Sequence, residues 1–175
     1  MNIFQLLQES TTTKMDIVFG DVMGYDMSDS FDTSLRKDWK DDPPNIHLIG
    51  NLPFSVSTHL IIMWLRDISL RASAWSYGRV KMTLTFQEEV AQRMVAQPGE
   101  KQRCRLSVMC QNWCNVRHKF TIPGTAFLPK PDVNVGVVNF EPLIKPLIPV
   151  KFEIVEKVLR TVFNSRMKYS IKPAE

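Results

Sequence analysis

In Asn51-Leu52-Pro53-Phe54, residue type and spacing come closest to a chemical purpose. Proline stiffens a turn and has no N–H to occupy a neighbouring carbonyl. Asparagine brings an oxygen acceptor, and phenylalanine brings a flat apolar face. Such a turn grips a planar ring that carries an amine. Adenine is such a ring, and its amine is a poor nucleophile because the nitrogen lone pair is delocalised. The Asn51 side-chain oxygen and the Leu52 carbonyl would take its two N–H bonds and free the lone pair for attack on a methyl donor. The cationic product sheds its proton readily, so the work is positioning and electrostatics. A planar amide of a protein would suit the same turn, and an ordinary strand-to-helix turn can have the same sequence.

A second candidate is Phe127-Leu128-Pro129-Lys130-Pro131-Asp132-Val133, a proline-stiffened loop with an aromatic ring and a lysine. A ring there, opposite Phe54, would sandwich a base flipped out of its stack. The competing reading is that Phe127 fills the core beneath the loop. A third candidate is Gly20-Asp21-Val22, where a carboxylate would accept a hydrogen bond from the amine of an adenosine cofactor. Gly-Asp turns are common, so this feature is weak alone.

The elements around these residues follow from pattern. Met15 to Phe19 reads as a strand that ends in a turn at Gly20-Asp21. Residues 24–44 read as an acidic loop with one helical turn. Ile46 to Gly50 reads as a buried strand, so Asn51 stands at its carboxyl end, where open α/β sheets bind ligands. Ser55 or Ser57 would cap an apolar helix running to about Arg66. A strand at Val80–Phe86, a helix at Gln87–Ala96, a helix at Arg105–Trp113, strands at Asn115–Ile122 and Val133–Phe140, and an amphipathic helix at Val150–Phe163 follow. The alternation predicts an α/β fold with a largely parallel sheet, its last two strands antiparallel.

Composition narrows the function classes. The chain has 175 residues and 7 glycines, with no G-x-G-x-x-G and no phosphate-loop motif. A self-contained nucleotide domain built on such a loop is excluded. An apolar content of 44% excludes disorder. No run approaches the roughly 18 apolar residues of a membrane span. Residues 1–45 carry nine acids and four bases, and residues 46–175 carry nine acids and eighteen bases. A basic body suits a polyanion such as nucleic acid. Three cysteines without a secretion signal fit a reducing compartment. Residues 1–13 read as neither a signal nor a transit peptide. Cys104, Cys110, Cys114 and His118 lack the pairs of a zinc ribbon, so no metal is expected and the cysteines read as buried small hydrophobes. His47 and His59 read as structural, and Glu88-Glu89 reads as a dipole-matched helix start.

In this order, Gly20-Asp21-Val22, Gly50-Asn51-Leu52-Pro53-Phe54-Ser55-Val56-Ser57-Thr58, Arg105-Leu106-Ser107-Val108 and Phe127 to Val133 closely resemble the rRNA adenine dimethyltransferases. Met82 to Gln87 and Cys114 to His118 are similar to the animal mitochondrial members. The resemblance runs from about Asp16 to Tyr169. It implies a partial Rossmann-like, doubly wound methyltransferase domain without the first strands, the glycine-rich loop and the C-terminal helical domain. Residues 1–145 would be catalytic, and residues 146–175 a linker and the start of the helical region.

By the same resemblance, Asn51, Leu52, Pro53, Phe54 and Phe127 would be catalytic. Asp21, Val22 and Asn51 would bind S-adenosyl-L-methionine. Lys130, Arg166 and Lys168 would bind RNA. Phe54 stands where many relatives have tyrosine, which keeps stacking and loses a hydroxyl. Small-subunit rRNA is the implied substrate, the mitochondrion the implied location and a monomer the implied state. A non-catalytic RNA-binding or mitochondrial transcription-accessory role is the alternative.

Overall fold

The computed structural model describes residue 10, residues 15–129 and residues 131–163. Its centre is a four-stranded sheet in the order β1-β2-β4-β3, formed by β1 (His47–Gly50), β2 (Lys81–Gln87), β3 (Cys114–Ile122) and β4 (Val135–Pro142). β1 and β2 are parallel, with Gly50 beside Leu84. The other two pairings are antiparallel. The sheet is therefore mixed rather than largely parallel. Of the strands that lie side by side, β1 and β2 are joined by a helical crossover, α1 (Phe54–Leu70), which parallel neighbours need. β3 reaches β4 through the proline-rich loop.

Met15 to Phe19 is not part of the sheet, contrary to expectation. A short apolar run becomes a strand only where a ladder accepts it, and Val18 and Phe19 stay exposed. The helix α3 spans Arg105–Trp113 as predicted. Others form with shifted ends: α2 spans Glu88–Val95 and α4 Phe152–Phe163. The acidic segment makes a single short turn at Thr33–Leu35, capped by the Asp32 carboxylate.

One hydrophobic cluster organises the molecule. Met82, Leu84 and Phe86 of β2 and Val138 and Phe140 of β4 alternate onto one face of the sheet. Helices α1 to α4 bury side chains in that same cluster, including Leu60 and Leu65 of α1, Met94 of α2, Met109 of α3 and Phe152 of α4. Trp113 and Phe152 lie 5.0 Å apart and tie α3 to α4. The opposite face carries His47, Ile49, Thr83, Thr85 and Asn139, all exposed or half-buried. Thus β1 is buried on one side only, and Ile49 is 80% exposed. His47 hydrogen-bonds Thr83 Oγ1 across the strands at 2.8 Å. His59 is exposed on α1 rather than packed in the core.

Close approach fixes one glycine. A Cβ on Gly136 of β4 would lie 2.5 Å from the Ala91 Cβ of α2. The acidic segment is also pinned. Arg79 donates to the carbonyls of Trp39, Asp41 and Pro142, and the Trp39 indole N–H donates to those of Leu143 and Ile144. No helix among the described residues is long and apolar enough to cross a membrane.

Candidate active site

β1 delivers the chain to Asn51 at its carboxyl end, and α1 begins at Phe54. Pro53 is the N-cap of α1 with extended backbone, and no serine side chain caps the helix. Ser57 Oγ instead donates to the Phe54 carbonyl at 3.1 Å. The expected serine cap fails because Pro53, which has no side-chain acceptor, occupies the N-cap position. The Pro53 carbonyl accepts from Val56 N and Ser57 N, so the helix ladder begins one residue beyond Leu52.

Alternation places Asn51 on the open face of the sheet with Ile49. There Thr85 of β2 donates its hydroxyl to Asn51 Oδ1 at 2.8 Å. A carbonyl oxygen has two acceptor positions, so one remains for a ligand amine.

The second half of the site comes from the loop between β3 and β4. Gly124 N donates to Asn134 Oδ1 at 3.1 Å, and Glu88 N donates to the Asn134 carbonyl at 2.9 Å. One side chain thus closes the loop, and its backbone fastens the loop to the start of α2. A Cβ on Gly124 would come within 3.0 Å of the carbonyls of Pro131 and Val133, so the loop folds tightly on itself. The result brings Phe127 to Phe54. Asn51, Leu52, Pro53, Phe54, Phe127, Pro129, Pro131 and Val135 line one open cavity of about 290 Å³. That is the small end of the range for ligand pockets, the scale of one ring rather than a chain.

Glu88 stands at the start of α2, behind the Phe127 loop. Its carboxylate accepts from Gln92 Nε2 at 2.7 Å and Thr121 Oγ1 at 2.9 Å, with the His118 ring nitrogen at 3.4 Å. Partial burial pushes its pKa up, but the hydrogen bonds from Gln92, Thr121 and His118 together outweigh burial and leave it below the usual glutamate value. Cys110 and Cys114 are buried, and burial pushes both thiols well up.

Asp21 and Val22 do not line this cavity. They sit in an exposed turn in which Asp21 Oδ1 accepts from Met23 N at 2.9 Å. Lys130, Arg166 and Lys168 lie outside the described residues. Thr85 and Asn134 escaped sequence reasoning. Thr85 was legible only as a strand position, whereas its role depends on cross-strand register.

The profile of ribosomal RNA adenine dimethylases matches residues 1–170. The chain belongs to this family. Among its dimethylase relatives, the mitochondrial dimethyladenosine transferase 1 of Macaca fascicularis is 59% identical over 165 residues, and that of Homo sapiens is 58% identical over 165 residues. The Drosophila melanogaster relative of that name is 47% identical over 169 residues. Each alignment covers 94% of this chain and 48% of the relative, so the chain spans about half the length of the curated relatives it matches. Solved structures agree on the fold. A dimethyladenosine transferase from Plasmodium falciparum superposes with a TM-score of 0.59 at 23% identity, over 76% of this chain and 46% of that one. A 23S rRNA methyltransferase superposes with a TM-score of 0.50 at 18% identity, over 75% of this chain and 50% of that one. The Rossmann-like α/β class is that of these dimethylase and methyltransferase neighbours.

The dimethylase relationship raises the question of the methyl donor. A site for S-adenosyl-L-methionine needs an acceptor for the adenine amine and a wall around the methionine end. Asp21 and Asn51 supply suitable atoms, but Asp21 does not line the cavity that Asn51 shares with Phe54 and Phe127.

Proposed function

We propose that this chain carries the base-gripping site of an enzyme that methylates adenine N6 in mitochondrial small-subunit rRNA. The observation that supports this most is the shared cavity of Asn51–Phe54 and Phe127. Two segments 70 residues apart supply an acceptor, a stiff turn and two aromatic rings to one ring-sized space. In this reading a flipped adenine lies between Phe54 and Phe127. Its amine donates to the free acceptor position of Asn51 Oδ1 and to the Leu52 carbonyl. Both acceptors favour a pyramidal nitrogen with its lone pair exposed, and the cation formed on transfer is held by the same oxygens. S-adenosyl-L-methionine supplies the methyl group. Residues 1–145 form the catalytic part, and residues 146–175 lead into a helical region. The mitochondrial location rests on the names of the relatives.

Asn51→Ala tests the assignment in a methyl-transfer assay on small-subunit rRNA. Transfer is expected to fall to background, with RNA affinity nearly unchanged. Transfer that survives the substitution removes Asn51 from the chemistry. Transfer absent from an unsubstituted chain that binds both RNA and S-adenosyl-L-methionine favours the non-catalytic RNA-binding reading.

A further inference from the structure

A second, larger cavity lies away from the Phe127 loop. It measures about 920 Å³ and borders Thr58, one turn along α1 from Phe54. Its polar lining is strongly cationic: Arg93 at the end of α2, Lys101 and Arg103 in the loop to α3, Arg105 at the start of α3, and Arg160 of α4. Among the described residues, Glu89 is the single acid in the lining. These bases come from four separate elements, so the fold gathers them.

Their environments differ in a telling way. Arg93 pairs with Glu89, and Arg160 pairs with Glu156. Lys101, Arg103 and Arg105 make no ion pair among the described residues. Arg103 is instead locked by donating to the Ala96 carbonyl at 2.6 Å and Gln111 Oε1 at 2.8 Å. Gln111 holds the same loop through the carbonyls of Met94 and Ala96. The loop is therefore preorganised, with Arg103 held in place. Arg105 is the first residue of α3, a helix of nine residues whose first turn has no acid. A cation at that end opposes the helix dipole, and an anion between the two would satisfy both.

We infer that this cleft is a binding track for the phosphodiester backbone of RNA, with Lys101, Arg103 and Arg105 as its principal phosphate contacts. Its size and spread of charge fit several successive phosphates rather than one. The inference rests on the RNA reading above and gives it a second surface, one that delivers the strand while the Phe54–Phe127 cavity takes the base.

The test is fluorescence anisotropy with a labelled RNA stem-loop across a salt series, using the full chain. Lys101→Gln with Arg105→Gln is compared with Lys40→Gln and Lys145→Gln, a pair of equal charge outside the cleft. Circular dichroism checks that both doubles stay folded. The cleft double is expected to bind about tenfold more weakly, with a log–log salt slope shallower by roughly 1.5 to 2. The control double is expected to stay within about twofold. Arg105→Lys, which keeps the charge, is expected to retain binding. Equal losses in both doubles, no loss in either, or no RNA binding by the unsubstituted chain overturns the inference. These outcomes are read without methyl transfer, so they separate failure of the cleft from failure of the Asn51 assignment.

Discussion

Thr85 and Asn51 meet across the parallel pair β1 and β2, with the threonine hydroxyl 2.8 Å from the asparagine carboxamide oxygen. The contact fixes the rotation of the carboxamide. Its second acceptor position then faces away from Thr85, where a base amine would approach. Thr85 touches no ligand in this arrangement and acts through Asn51.

Thr85→Val keeps the shape and removes the hydroxyl. The lost hydrogen bond is worth about 1 kcal/mol, so methyl transfer should slow several-fold with RNA affinity unchanged. Thr85→Ser should restore the rate. If the valine and serine variants behave alike, the hydroxyl has no positioning role.

Phe127→Ala should weaken transfer through lost stacking, by about 1–3 kcal/mol. Phe127 is half-buried and lines the cavity, so thermal stability should fall less than for truncation of a core ring such as Phe86. A large drop in melting temperature with an unchanged transfer rate would return Phe127 to the core.

Calorimetric titration of the chain with S-adenosyl-L-methionine should show weak binding or none. Asp21 closes its own turn and shares no cavity with Asn51 among the described residues. Micromolar affinity would show that the acceptor and donor sides come together in solution.

Glu88 should make stability depend on pH. Its folded pKa lies below the usual value, because Gln92, Thr121 and His118 favour the charged form over the opposing effect of burial. The contribution is then full above the usual glutamate range and is lost as pH falls through that range and below it. Glu88→Gln should lower the melting temperature near neutral pH and have little effect in acid. An equal effect at both ends would show that the charge is irrelevant.

Much of this was legible in the residues. Arg105–Trp113 has the predicted bounds because a polar start and a buried stripe mark both ends. Asn51–Phe54 and Phe127 were readable as two halves of one site because proline, asparagine and aromatic rings have narrow uses. The single parallel pair was harder to foresee, since short apolar runs do not encode the direction of their neighbours. Met15 to Phe19 shows the same limit, for its sequence suits a strand and the ladder excludes it. Thr85, Asn134 and the five cations of the cleft act through positions that only the assembled register brings together.

The Trp39 indole bonds to carbonyls 104 and 105 residues further along the chain. Arg79 joins the same two regions from between them. The acidic segment is thus an early part of the chain with late partners. During synthesis the Trp39 indole must wait until β4 and the two residues after it have been made, and its docking reports that the sheet is finished. A nick between Asp41 and Asp42 would cut the backbone there yet leave the new end at Asp41 held by the Arg79 guanidinium and, through the Trp39 indole, by the Leu143 and Ile144 carbonyls.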